Sequence, residues 1–82
     1  MADKAYYRKQ IVDKRAQIAK EREAKKRDNE SYARMIKSAT SPSGKASYRK
    51  SKIDRAAAHD RRIESLKLEI ARLQVEVARA PK

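Results

Sequence analysis

A run of aliphatic residues at coiled-coil spacing in the second half of this chain limits most strongly what it can fold into. Apolar residues recur every seven positions at 56, 63, 70 and 77, and a second series falls at 59, 66, 73 and 80, in which position 59 is a histidine. A repeat that averages 3.5 residues keeps one face of a helix against a partner helix. The pattern therefore predicts a long α-helix packed along another helix, and it argues against a fully disordered chain.

The rest of the composition leaves few other folds open. Only 12 of the 82 residues are Ile, Leu or Val, and Phe and Trp are absent. One Gly and two Pro are too few for the turns of a β-sandwich or barrel, and the lack of Cys excludes disulfides and thiolate metal sites. No apolar run is long enough for a membrane span or a signal peptide. We therefore expect an all-α cytoplasmic protein, with export by a route that needs no cleaved signal left open.

Turn chemistry is confined to residues 38–44, between two segments rich in Ala, Lys, Arg, Glu and Gln. We predict one all-α, two-helix antiparallel hairpin over residues 1–82, with a helix over about 4–37, a loop over about 38–44 and a helix over about 45–80. If Ser41 instead caps the second helix with Pro42 at its first position, the early turns of that helix hold Lys45, Arg49, Lys50 and Lys52. Residues 20–31 contain a single apolar residue, so completion of the fold by oligomerisation or by a partner helix stays open.

Folding at the loop places residues opposite one another when their numbers add to about 84 to 86. This register brings together a set of apolar side chains that we call the hairpin seam: Tyr7, Ile11, Ile18, Ile63, Leu66, Ile70, Leu73 and Val77. Three ion pairs are predicted in the same register: Lys25 with Asp60, Glu30 with Arg55, and Asp13 with Arg72. Exposed pairs add only about 0 to 1 kcal/mol each, so they select the register more than they stabilise it.

The sequence offers little for catalysis. His59 is the only histidine, and its position in the coiled-coil pattern favours a partly buried structural role. The residues four positions away are Arg55 and Ile63, so His59 has no helical partner for a metal ion. We predict a protein that is not an enzyme and that has no catalytic residues, no metal, no cofactor and no small-molecule substrate.

Positive charge is concentrated near the predicted loop. The chain has 23 Lys and Arg against 11 Asp and Glu, and no carboxylate lies between positions 31 and 53. Six cations occupy that interval and define the basic tip: Arg34, Lys37, Lys45, Arg49, Lys50 and Lys52. The positive end of a helix dipole ordinarily favours Asp or Glu, so cations placed there predict an anionic partner.

A second apolar row runs along the last third of the second helix, on roughly the opposite side from the hairpin seam. It consists of four residues that we call the docking stripe: Leu68, Ala71, Val75 and Ala78. A two-helix hairpin buries only one stripe, so the docking stripe predicts contact with a second copy or with a helix of another protein.

The layout also resembles known families. The segments Tyr6–Ile11, Ser38–Ser43 and Ser47–Lys50 resemble parts of the Lys/Arg/Ala-rich helical hairpins that precede effector domains in bacterial proteins, including Toll/interleukin-receptor domain proteins. That resemblance implies an accessory or assembly module in a bacterial conflict or signalling system. Length and layout are also similar to the Trp-x-Gly small helical hairpins of type VII secretion and their partners, although this chain has no Trp and no Tyr followed four residues later by an acid.

Two functions follow as expectations. The first is a non-enzymatic helical-hairpin interaction module of the adaptor, assembly or secretion-partner type, with the docking stripe as its contact surface and the basic tip on an anionic partner. The second is a small basic nucleic-acid-binding protein, for which the net charge of +12 speaks.

Overall fold

The computed structural model describes residues 3–80, which form two long helices joined by a short connection. Helix α1 spans Lys4–Ser38 and helix α2 spans Pro42–Arg79. The 38 residues of α2 correspond to about 57 Å at 1.5 Å per residue, and the molecule is a rod of 62 × 14 × 13 Å. These dimensions and the contacts between the helices make it an all-α antiparallel hairpin, as the coiled-coil pattern predicts.

The connection is shorter than the turn-forming composition suggests, because it contains only residues 39–41. Proline disfavours helical backbone in the residue before it, and Ser41 is accordingly extended (φ −108°, ψ 146°). The Ser41 hydroxyl accepts a hydrogen bond from the Gly44 amide at 3.0 Å, so α2 begins at Pro42 instead of about position 45. A Cβ on Gly44 would lie 2.9 Å from the Ser41 hydroxyl oxygen, which gives a steric reason for the chain's only glycine.

A side chain also caps the N-terminus of helix α1. Asp3 is extended, and its carboxylate accepts a hydrogen bond from the Tyr6 amide at 3.0 Å. At the end of α1 the Ala39 amide donates to the Met35 carbonyl at 2.9 Å before the chain turns extended. Each helix therefore begins on a side-chain cap, which supplies a partner for one of its free amides.

The core is thin and lies in the half of the rod that is farther from the connection between the helices. Within residues 3–80 five side chains are buried, and Leu73 and Val77 pack against them. The buried residues are all aliphatic members of the hairpin seam: Ile11, Ile18, Ile63, Leu66 and Ile70. Tyr7, the remaining seam residue, is half-buried. Toward the connection the interface has no buried apolar side chain, so the two halves of the rod differ in what holds them together.

Polar contacts between the helices follow the same register. Lys25 Nζ lies 2.7 Å from Asp60 Oδ1, as predicted, and Lys14 Nζ lies 3.1 Å from Glu69 Oε2. Among residues 3–80, neither of the other two predicted ion pairs is present. Within the same residues, neither helix has a stretch that is long and apolar enough to cross a bilayer.

Candidate functional site

The basic tip lies at the connected end of the rod. Lys45, Arg49 and Lys52 continue the heptad positions of α2 that hold His59, Ile63 and Leu66 farther along, so they follow the line of the hairpin seam. Lys45 and Lys52 are half-buried, and the other four cations are exposed. None of the six takes part in an ion pair within residues 3–80. The basic tip therefore presents positive charge that the described part of the chain does not neutralise.

The charge along the rod is uneven, which sets the basic tip apart from the neighbouring section. The middle of the rod, residues 21–30 with 54–64, holds seven cations and seven carboxylates. The far end, residues 3–20 with 65–80, holds nine cations and four carboxylates, whereas residues 31–53 hold six cations and none. An approaching anion therefore meets a neutral middle and a tip with the highest ratio of positive to negative charge.

An open groove with an apolar floor lies beside the basic tip. It has a volume of about 410 Å³, and Ile36, Ile53 and Ala56 line it together with Arg49, Lys52 and Asn29. Ile53 is 69% exposed, the largest exposed fraction among the large apolar side chains of the described residues. We call this feature the tip groove. It places aliphatic carbons and two cationic heads within one surface.

The docking stripe lies away from the partner helix. Leu68 is 57% exposed and Val75 is 48% exposed, and the two residues are seven positions apart. Ala71 and Ala78 are also exposed and are likewise seven positions apart. The stripe and the tip groove are distinct surfaces, because Ile53 and Leu68 are separated by about 22 Å along α2.

The middle of the interface is polar, and its centre is His59. The side chain of His59 is 13% exposed. Its Nδ1 lies 2.6 Å from Glu21 Oε1, and its Nε2 lies 2.6 Å from Asp28 Oδ2. Both carboxylates come from α1, where they are seven positions apart on one face. We call Glu21, Lys25, Asp28 and His59 the polar layer.

Within the polar layer, the pKa values of His59 and Asp28 are shifted. Hydrogen bonds to Asp28, which has the larger effect, and to Glu21 raise the pKa of His59 above its ordinary value of 6.5. Burial lowers this pKa, but by less. The hydrogen bond from His59 lowers the pKa of Asp28 below 3.8, with Arg55 and Arg27 adding to the effect. Both shifts favour the charged forms, so the histidine and the aspartate stabilise one another as ions.

The pattern of apolar residues does not predict the polar layer. The sequence predicts His59 in the interface, but it does not predict two carboxylates on its ring. The available signal was the spacing of positions 18, 21, 25, 28 and 32, which continues the heptad pattern of α1 through polar residues. Within residues 3–80 no group of His, Asp or Glu side chains is arranged to hold a metal ion.

Comparison with known proteins found no match: no family model, no curated protein and no solved structure is similar to this chain.

Proposed function

We propose that this chain is a non-enzymatic helical-hairpin interaction module that binds an acidic protein. The main support is that two features meet at the basic tip. Its cations have no ion-pair partner within residues 3–80, and the apolar tip groove lies beside them. A carboxylate-rich segment with an aliphatic side chain could place that side chain against Ile36 and Ile53 and its carboxylates near Arg49 and Lys52. The docking stripe would extend the contact along α2.

The state of the only histidine supports a role other than catalysis. A general base needs a free nitrogen within reach of a substrate proton. Both ring nitrogens of His59 are engaged by carboxylates, and the ring is mostly buried between the helices. His59 therefore serves the interface, and its geometry gives no reason to assign it a chemical step.

Charge favours a different protein over a second copy as the partner. The chain carries a formal net charge of +12 in 82 residues, so bringing two copies together sets like charges against one another. An acidic partner removes that cost and gains steering during association. Nucleic acid would satisfy the cations as well, but an aliphatic groove has no evident use on a phosphate backbone.

The biological setting is part of the proposal. The resemblance to bacterial helical hairpins that precede effector domains supports an adaptor or assembly role in a conflict, signalling or secretion system. In such a role the rod would hold a partner at a fixed distance, because its two helices span about 60 Å.

Site-specific photo-crosslinking in the cells that make this protein tests the proposal. A benzophenone amino acid replaces Ile53 in the tip groove or Leu68 in the docking stripe, and Ala19, which is exposed on α1 outside both surfaces, is the control. The same substitution at Val12 is not a control, because Val12 lines a groove with two arginines. We expect a defined acidic polypeptide crosslinked at position 53 and absent at position 19. Nucleic-acid adducts at position 53, or the same products at both positions, would contradict an acidic protein partner.

Charge reversal separates contact at the basic tip from general attraction. Arg49→Glu with Lys52→Glu should lower binding of the captured partner by at least about tenfold, roughly 1.4 kcal/mol. Arg61→Glu with Arg72→Glu changes the net charge by the same amount at exposed positions outside the tip, and we expect a smaller effect. Equal losses in both double variants would mean that net charge alone drives binding.

Nucleic-acid binding is the second candidate. It is favoured by the cations of the basic tip, which form no ion pair with any other described residue. Filter binding to DNA and RNA across a salt series measures the number of phosphate contacts, because affinity falls steeply with salt when cations bind phosphates. We expect weak binding that the Arg49→Glu, Lys52→Glu variant and its control lose equally. A steep salt dependence that is lost only in the tip variant would favour this second function.

A further inference from the structure

The contacts of His59 determine its protonation state. A neutral imidazole has one N–H, so only one of its nitrogens can donate a hydrogen bond, and an ionised carboxylate can only accept. Both nitrogens of His59 lie 2.6 Å from carboxylate oxygens. If both carboxylates are ionised, both nitrogens must donate, and the ring must be an imidazolium.

A cation lies near each carboxylate in addition to His59. The pKa of Asp28 is lowered by its hydrogen bond from His59, with Arg55 contributing. The second oxygen of Glu21, Oε2, lies 3.6 Å from Arg62 Nε, a cation one turn along α2 from His59. Below its raised pKa the ring therefore donates to Glu21 through Nδ1 and to Asp28 through Nε2, and it bears a positive charge.

We propose that Glu21, His59 and Asp28 form a pH-sensitive clasp that holds the middle of the hairpin closed while His59 is protonated and loosens the tip half when the proton is lost. Loss of the proton from either nitrogen removes one of the two hydrogen bonds. It also leaves an ionised, partly buried carboxylate facing a nitrogen lone pair. The interaction then changes from attraction at both ends of the ring to repulsion at one.

The position of the clasp explains why only part of the rod should respond. The five buried aliphatic residues lie on the terminal side of His59. On the other side the basic tip has no ion pair within the described residues, and Lys25 with Asp60 is the contact beside the clasp. The charged groups that face or flank the ring are, from α1, Glu21, Lys25 and Asp28, and from α2, Arg55, Asp60 and Arg62. Once the proton is lost, the Lys25–Asp60 and Arg62–Glu21 pairs remain across the middle of the rod. Each pair has a side chain that is more than half exposed, so these pairs hold the middle closed less strongly than the clasp does.

The direction of the effect follows from the pKa of His59. A group whose pKa is raised on folding adds stability that is fully present below its unfolded pKa and is lost as pH rises through the folded pKa. For His59 the unfolded pKa is near 6.5 and the folded pKa lies above it. The clasp should therefore weaken as pH rises through this raised pKa. It should also weaken in acid, where Asp28, with its lowered pKa, finally takes up a proton.

Nuclear magnetic resonance reads the clasp directly, because His59 is the only histidine in the chain. The resonances of its ring should titrate with a midpoint above 6.5 in the wild-type protein. Glu21→Gln and Asp28→Asn should each lower the midpoint by about 1 pH unit. Glu23→Gln, the same change two residues away at an exposed position, should leave it unchanged. A wild-type midpoint at or below 6.5, or equal midpoints in all four proteins, would overturn the proposal.

Amide hydrogen exchange between pH 6 and pH 9, corrected for its intrinsic pH dependence, tests the loosening itself. No other side chain in the chain has an ordinary pKa between 5 and 8, and the α-amino group near 8 is common to all variants. Protection over residues 25–56 should fall as pH rises, while protection around Ile63 to Ile70 should persist. His59→Gln, which cannot acquire the charge, should show low protection of the tip half at every pH. A fall in amide protection of the same size in His59→Gln, or no fall in the wild-type protein, would refute the clasp.

If His59→Gln does not fold, Asp28→Asn replaces it in this test. Amide protection over residues 25–56 should then fall less with pH in Asp28→Asn than in the wild-type protein.

Discussion

Replacement of Leu66 by alanine tests the hairpin seam most sharply at the level of one side chain. Leu66 is 4% exposed, the lowest exposed fraction among the buried side chains of the described residues. Leu→Ala removes about three buried carbons, worth about 0.8 kcal/mol each, and buried Leu→Ala changes cost about 2 to 5 kcal/mol overall. Because the rod is only two helices thick, neighbouring side chains and water can fill part of the space. We therefore expect a loss of about 2 to 3 kcal/mol.

A loss of this size is large for so small a protein. For a domain of 60 to 100 residues, 1 kcal/mol shifts Tm by about 4 to 8 °C, so Leu66→Ala should lower Tm by roughly 10 to 20 °C. Thermal and urea unfolding followed by circular dichroism at 222 nm measure both quantities. Leu68→Ala is the matched control, because it makes the same change two residues away at a side chain that is 57% exposed. It should alter stability by less than about 0.5 kcal/mol.

The comparison of the two variants decides which face of α2 meets α1. Equal losses, or a larger loss in Leu68→Ala, would show that the hairpin seam is wrong or that the docking stripe is buried against a second copy. Repeating the melts at several protein concentrations distinguishes these cases, since Tm rises with concentration only when association stabilises the fold.

Three smaller effects should accompany this one. A double-mutant cycle with Lys25→Ala and Asp60→Ala, measured by urea unfolding at low salt, should give a coupling free energy of about 0.5 kcal/mol, because both side chains are partly exposed. A coupling free energy above about 2 kcal/mol would contradict this account. Ser41→Ala should cost about 1 kcal/mol by removing the cap of α2, whereas Ser43→Ala, two residues on, should cost less, and equal effects would argue against the cap. Because the pKa of Asp28 is lowered on folding, its contribution to stability is present above its unfolded pKa and is lost as pH falls. Tm should therefore drop below about pH 4 in the wild-type protein and drop less in Asp28→Asn. Equal drops of Tm in the two proteins would refute the contact between Asp28 and His59.

The fold was predictable because its main signal is local and repeated. The heptad spacing from Ile63 to Val77 identifies one face of α2, and Ser41 with Pro42 offers a cap and a first position for that helix. The predicted loop was too long because Ser, Gly and Lys after Pro42 look like loop composition. A capped first turn tolerates these residues, since its amides find a partner in the Ser41 hydroxyl.

The polar layer was harder to predict. Between Ile18 and Tyr32 the heptad positions of α1 hold Glu21, Lys25 and Asp28, so a search for apolar residues reads the segment as an interruption. Whether a carboxylate reaches a histidine ring across the interface depends on side-chain length and on a register known to about one residue. Pairing the only histidine with acidic residues seven positions apart is the sequence signal that would have indicated it.

The central claim is that the chain doubles back at Pro42. The distance between residues near the two ends of the chain tests this claim most directly. The chain has no cysteine, so cysteines at Lys9 and Ala78, both exposed, can be spin-labelled uniquely and their separation measured by pulsed electron resonance. Packed helices lie about 8 to 10 Å apart, so with the label arms we predict a separation below about 25 Å that persists when labelled protein is diluted with unlabelled protein. A separation near 100 Å, the length of one continuous helix between these positions, or a short distance that disappears on dilution, would contradict the hairpin.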